Sequence, residues 1–161
     1  MNLRIGQGFD LHRLVAADEG VIALAGIQMP APFRVVAHSD GDVVIHALCD
    51  ALLGALALGD IGTHFSDRDP RWAGAASGAF LEAVIGMVNA RGYRVVNVDV
   101  TILAEVPKVA PHAPAMCAAL AVLLGIAADA VSIKAKTLEG LGPIGRHEAI
   151  AAQAVALLAA A

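Results

Sequence analysis

Aromatic residues are scarce: Trp, Tyr and Phe together make up 4% of the 161 residues. A core with so few rings must be built from small aliphatic side chains packed closely. Charge is also sparse, with 16% Asp, Glu, Lys and Arg and a formal net charge of −4. No run of five basic residues occurs, and with the acidic balance this argues against a nucleic-acid backbone as the main partner. The two cysteines, Cys49 and Cys117, lie far apart in apolar stretches. They form no C-x-x-C pair, so a reduced, cytoplasmic setting is expected. Long apolar runs are missing too. The longest nearly unbroken one, residues 115–128, contains Gly125 and falls short of the roughly 18–20 residues that span a bilayer. Residues 1–5 enter a strand-like pattern at once, without signal-peptide architecture. No membrane partner is expected.

What is abundant is small and apolar. Hydrophobic residues reach 58%, about a fifth of the chain is alanine, and mean hydropathy is +0.69. So little charge leaves little to cover a monomer's surface, which points to an oligomer. The length suits one domain over residues 1–161, with no repeat or linker dividing it. Strands are expected at 2–12 and 20–29, the second closed by Pro30 and Pro32. A helix over 43–58 follows a start signal in which Ser39 and Asp42 have capping-box spacing and Asp40 competes as the cap. A loop through Phe65 to Pro70 precedes a helix over 77–90. Residues 93–106 give the clearest strand, with Val96, Val98, Val100 and Ile102 alternating with Asn97, Asp99 and Thr101. A helix over 112–124, a strand over 131–137 and a last helix over 146–160 complete the pattern. The expected fold class is α/β, an α+β sandwich with a sheet of about four strands and helices packed on one face.

Several residues carry candidate chemistry. Asp10 and His12 are two apart on a strand, so they share a face and form a plausible half of a zinc site. A capping Asp beside a surface His would look the same. His46 and Asp50 share a helix face at i and i+4, which lets Asp50 orient His46 from behind. A simple surface pair has that spacing too. The helix is otherwise apolar, and its polar groups need partners. Gly6-x-Gly8 lacks the third glycine of a dinucleotide fingerprint, and no P-loop occurs. Asp67 and Asp69 flank Arg68 in a loop. Glu105, Pro107 and Lys108 stand at the end of the best strand, where loops often bind ligands. Lys134, Lys136, Thr137 and Glu139 gather cations, a hydroxyl and a carboxylate at another strand end, a set suited to an anion with a divalent cation. His64, His112 and His147 have no partner by spacing.

The blocks Gly6-Gln7-Gly8-Phe9-Asp10-Leu11-His12, His38-Ser39-Asp40-Gly41-Asp42, His46-Ala47-Leu48-Cys49-Asp50 and Gly59-Asp60-Ile61-Gly62 resemble the 2-C-methyl-D-erythritol 2,4-cyclodiphosphate synthase family. Asn97 to Ile102, Pro107-Lys108, Pro111-His112, Lys134-Ala135, Thr137, Glu139, Leu141-Gly142 and Gly145-Arg146 continue the match along the whole chain. The resemblance implies a homotrimer with active sites between subunits. It implies cyclisation of 4-diphosphocytidyl-2-C-methyl-D-erythritol 2-phosphate, with release of CMP. Asp10, His12 and His46 would be zinc ligands, and Glu139 would help hold magnesium or manganese. His38, Ser39 and Thr137 would contact phosphate, His38 and Thr137 stabilising the transition state. Asp60, Ile61 and Gly62 would meet the erythritol hydroxyls, near Phe65, Ser66, Asp67, Arg68 and Asp69. Ala104, Glu105, Val106, Pro107, Lys108, Val109 and Ala110 would form the cytidine pocket. Leu11, Lys136, Leu138, Pro143 and Arg146 would complete the substrate contacts.

The chain departs from the family pattern in places. Lys136-Thr137-Leu138 stands where a run of threonines is frequent, Pro143 where an aromatic is frequent, and His147-Glu148-Ala149 where Gly-Glu-Gly is frequent; Ser66 replaces a frequent proline. A non-catalytic trimer binding metal or isoprenoid phosphate, and a zinc phosphohydrolase, are the competing readings.

Overall fold

A computed structural model describes residues 2–66 and 75–161. Asp67, Arg68 and Asp69 lie outside the described residues. Five strands, β1 (Leu3–Leu24), β2 (Ile27–Val36), β3 (Tyr93–Leu103), β4 (Val131–Lys136) and β5 (Ala149–Ala160), form one mixed sheet in the order β2-β1-β5-β3-β4. Only β3 and β4 are parallel. The helices are α1 (Val43–Ala55), α2 (Ile61–His64), α3 (Ser77–Ala90), α4 (Ala113–Leu124) and α5 (Gly142–Gly145).

Two expectations need correction. The sheet has five strands rather than about four, because the segment expected as a helix over 146–160 is β5, at the centre of the sheet. Alanine and leucine favour helix in isolation. Here β1 and β3 take up the backbone hydrogen bonds of this segment from both sides, and Ala152, Ala154 and Ala156 are fully buried beneath the helices. The opposite side of β5 carries Ala149, Ala151, Val155, Leu157 and Ala159, with Gln153 its one polar residue, so no polar alternation is left to mark a strand. The strand expected at 2–12 runs on without a break to Leu24 as one long strand, β1, and the one expected at 20–29 is split between the end of β1, the turn at 25–26 and the start of β2. The first half of β1 pairs with β5 and its second half with β2. Ala25 and Gly26, at φ 54° and 78°, form the two-residue hairpin turn. Pro30 and Pro32 lie within β2, an edge strand, where a missing N–H is tolerated.

The helices cover one face. Val98, Val100 and Ile102 of β3, Ala152, Ala154 and Ala156 of β5, and Leu48, Leu52 and Leu53 of α1 lie in the core. The other face carries Asp99, Thr101 and the exposed Leu3, Ile5, Phe9 and Leu11. No helix among the described residues is long and apolar enough to cross a membrane. Cys49 is fully buried in α1, and that burial pushes its thiol pKa up, making it a poor nucleophile.

Candidate metal centre and active-site cleft

The centre is built where α1 begins. From Gly6 to Leu14 the even-numbered residues of β1 face the helices. At Gly6 and Gly8 the backbone of α1 lies directly overhead: a Cβ would come to 1.9 Å from the Ala51 carbonyl oxygen and 2.0 Å from that of Ala47. Two residues further on, β1 passes the start of α1 and side chains return. Asp10 and His12 therefore meet His46, from the first turn of α1.

Asp10 Oδ2 lies 3.0 Å from His12 Nε2 and 3.0 Å from His46 Nδ1, and the two ring nitrogens are 3.1 Å apart. Burial raises the Asp10 carboxyl pKa, but its interactions with the two neighbouring imidazoles, His12 and His46, outweigh it and hold the group well below the usual carboxylate range. These three residues are the one group of three converging ligating side chains among the described residues. Ligands about 2.0–2.1 Å from a tetrahedral zinc ion would be spaced about 3.3 Å apart, so the Asp-His-His set fits such an ion in size and chemistry.

The centre opens into a cleft of about 380 Å³, lined also by His38, Ser39, Ile61, Gly62, Phe65 and Phe80. Phe65 packs on Phe80, which meets the His46 ring edge-on at 6.1 Å. Asp60 caps α2, accepting the Thr63 N–H at 2.8 Å. Ser66 is exposed beyond the cleft.

Asp50 does not do what its spacing suggests. Its carboxylate accepts the Ile61 N–H at 2.8 Å, fixing α2 over α1. The group behind His46 is instead Ser77, whose Oγ lies 3.0 Å from Nε2 and is itself hydrogen-bonded to Asp40. Sequence gave no sign of this, because Ser77 reads only as a helix start 31 residues away.

The remaining expected site residues sit elsewhere on the sheet. Leu11 pairs with Ala151, Ala151 with Leu103, and Leu103 with Lys136, so one row crosses from β1 to the end of β4. Three inter-strand steps put roughly 14 Å between the two ends. Thr137 and Glu139 follow Lys136 and do not line the cleft. Thr137 Oγ1 donates to Glu139 Oε1 at 3.1 Å, and Glu139 holds φ 53°. Glu105 accepts the N–H groups of Leu138 at 2.8 Å and Gly140 at 3.4 Å, so it binds this loop to the 104–110 segment. Ala104 and Val109 are buried in the core, so their side chains are not open to a ligand. Leu138 likewise packs against a small cluster of Ile144, Ala149 and Ala151. Lys108 and Ala110 are exposed, and Val106 and Pro107 half-buried. Pro143 lies in the first turn of α5, and Arg146 forms a two-pronged pair with Glu148 at 2.9 and 3.1 Å.

The family model for YgbB matches residues 3–159. The chain belongs to the YgbB family. A YgbB relative from Dechloromonas aromatica, 2-C-methyl-D-erythritol 2,4-cyclodiphosphate synthase, is 54% identical over 158 residues, 98% of each chain. The solved bifunctional IspDF of Campylobacter jejuni matches with a TM-score of 0.93 at 35% identity, over 99% of this chain and 43% of that longer one. A solved 2C-methyl-D-erythritol-2,4-cyclodiphosphate synthase in its CDP-bound form matches with a TM-score of 0.89 at 41% identity, over 97% and 100% of the two chains. The YgbB fold thus accounts for the whole α+β sheet described above.

Proposed function

We propose that this YgbB protein is a 2-C-methyl-D-erythritol 2,4-cyclodiphosphate synthase of non-mevalonate isoprenoid synthesis. The observation that carries the reading is the convergence of Asp10, His12 and His46 at the mouth of the cleft. Asp10, His12 and His46 would hold zinc, and Glu139 would help hold magnesium or manganese. These ions would neutralise phosphate charge and polarise P–O bonds.

In the reaction, an oxygen of the substrate 2-phosphate attacks the β-phosphorus. The bond from that phosphorus to the bridging oxygen breaks, and CMP leaves with the electron pair. The attacking oxygen is already ionised, so no side chain need act as general base. The protein's task is alignment and charge stabilisation. His38 and Ser39 on the cleft wall would hold the attacking phosphate, and Thr137 the diphosphate. Asp60, Ile61 and Gly62 would position the erythritol. The 104–110 segment would receive cytidine through its backbone and Lys108, with Arg146 near the far end of the substrate.

The distance between the two groups supports a homotrimer with each site shared by neighbouring subunits. In one chain, Thr137 and Glu139 stand across the sheet from Asp10, and the exposed Leu3, Ile5, Phe9 and Leu11 offer a face for contact. A reduced cytoplasmic setting suits the unpaired Cys49 and Cys117. Phosphorus NMR of zinc- and magnesium-loaded protein with the cytidylyl substrate tests the activity. CMP and cyclic diphosphate are expected. Inorganic phosphate would indicate a hydrolase, and binding without turnover a binding module; either result overturns the proposal.

A further inference from the structure

We infer that Ser77 and Asp40 are positioning residues for His46: together they hold the imidazole proton on Nε2 and keep Nδ1 bare toward Asp10 and His12. The argument is one of counting protons. A serine hydroxyl has one proton to donate, and a carboxylate can only accept. Ser77 Oγ is hydrogen-bonded to Asp40 Oδ1, so the hydroxyl proton goes to Asp40. What Ser77 then presents to His46 Nε2, at 3.0 Å, is a lone pair. Ser39 Oγ, at 3.3 Å from the same nitrogen, accepts the Gly41 N–H and has a second lone pair for an Nε2–H; its own proton is not committed, so the direction is set by Ser77. A neutral imidazole carries one N–H, and it must sit on Nε2 to satisfy this contact.

Asp40 is itself well placed for the task. Its Oδ2 accepts the Ser77 backbone N–H at 2.9 Å, at the start of a helix whose own cap residue, Ala76, has no side chain to offer. Ser77 is therefore fixed through both its backbone and its hydroxyl, and it is fully buried. One carboxylate thus ties the loop bearing His38 and Ser39 to α3 and sets the orientation of His46. On the other side of the ring, a bare Nδ1 stands 3.0 Å from a carboxylate oxygen. Two lone pairs at that distance repel unless a cation or proton lies between them, so the arrangement is preorganised for a cation.

The inference rests on the metal-centre reading, but its first readout does not. Nitrogen NMR of the metal-free protein at pH 8, above the ordinary imidazole range, reports the His46 tautomer directly. Wild type is expected to show Nε2–H, Ser77→Ala a mixture, and Ser77→Thr the wild-type pattern. Zinc affinity by chelator competition should fall about 10- to 100-fold in Ser77→Ala and return in Ser77→Thr. A smaller loss is expected for Asp40→Asn. Wild type with Nδ1–H, or Ser77→Ala with unchanged tautomer and zinc affinity, would overturn the inference. An unchanged Asp40→Asn beside an impaired Ser77→Ala would remove Asp40 from it. If wild type binds no zinc while the tautomers behave as stated, the metal-centre reading fails and the positioning role stands.

Discussion

Asp42 joins two distant pieces of backbone through one buried carboxylate. Its oxygens accept N–H groups of Ala25 (3.0 Å) and Gly26 (2.7 Å) in the β1–β2 turn, and of Val44 (3.1 Å) and Ile45 (3.2 Å) at the start of α1. Ala25 sits at φ 54°, a conformation costly for a residue with a Cβ, and the bond from Asp42 helps hold it there. Asp42→Ala strips acceptors from four donors, three of them in buried backbone, and should cost about 2–4 kcal/mol in denaturant unfolding. A cost under about 1 kcal/mol would show that water satisfies these groups instead. This residue also shows where sequence reading stops. Ser39, Asp40 and Asp42 all have the credentials of a helix start. The choice among them is made by partners far along the chain: the turn at Ala25 takes Asp42, and α3 takes Asp40. Asp10 and His12 were legible because strand pleating alone puts them on one face, and His46 was legible as a polar side chain in an apolar helix. Ser77 was not, because its role exists only once α3 has packed behind the cleft.

At the scale of elements, the fit between α1 and β1 rests on missing side chains. Gly8→Ala would place a methyl 2.0 Å from the Ala47 carbonyl oxygen and 2.7 Å from the Ala51 nitrogen. Backbone cannot yield as a flexible side chain can, so α1 must shift and take His46 with it. We expect a loss of at least about 3 kcal/mol, read by thermal or denaturant unfolding, together with weakened zinc retention. Full stability in this variant would contradict the close approach. The sequence carried these glycines openly, but their meaning depends on which helix lies above them. In β3 the alternation of Val98, Val100 and Ile102 with polar neighbours made the strand readable, because one face is core and the other is not. In β5 the same rule had nothing to act on. Its residues are nearly all alanine, leucine, valine and isoleucine, and helix propensity pointed the wrong way until strand pairing on both sides overrode it.

The whole molecule separates the two halves of the proposed site. The metal triad stands on β1 and α1, and Thr137 with Glu139 stands beyond β4, roughly 14 Å away by strand spacing. Sizing by light scattering should give three times 16.4 kDa. Mixing gives the sharper measurement. His46→Ala and Glu139→Ala should each be inactive alone. Unfolded together and refolded as mixed trimers, they should recover roughly a quarter of wild-type activity, since that fraction of interfaces pairs two intact halves. No recovery would mean that both halves are supplied by the same chain.

The position of β5 has a consequence for how the chain reaches this state. During synthesis, β2 and β1 can pair early, and β3 and β4 can pair later, but the two pairs share no ladder until residues 149–160 emerge. Until then β1 and β3 both present open edges, and the core beneath α1 lacks its central strand. The nascent protein is therefore exposed to wrong pairing for most of its time on the ribosome, and its sheet closes in one late, long-range event.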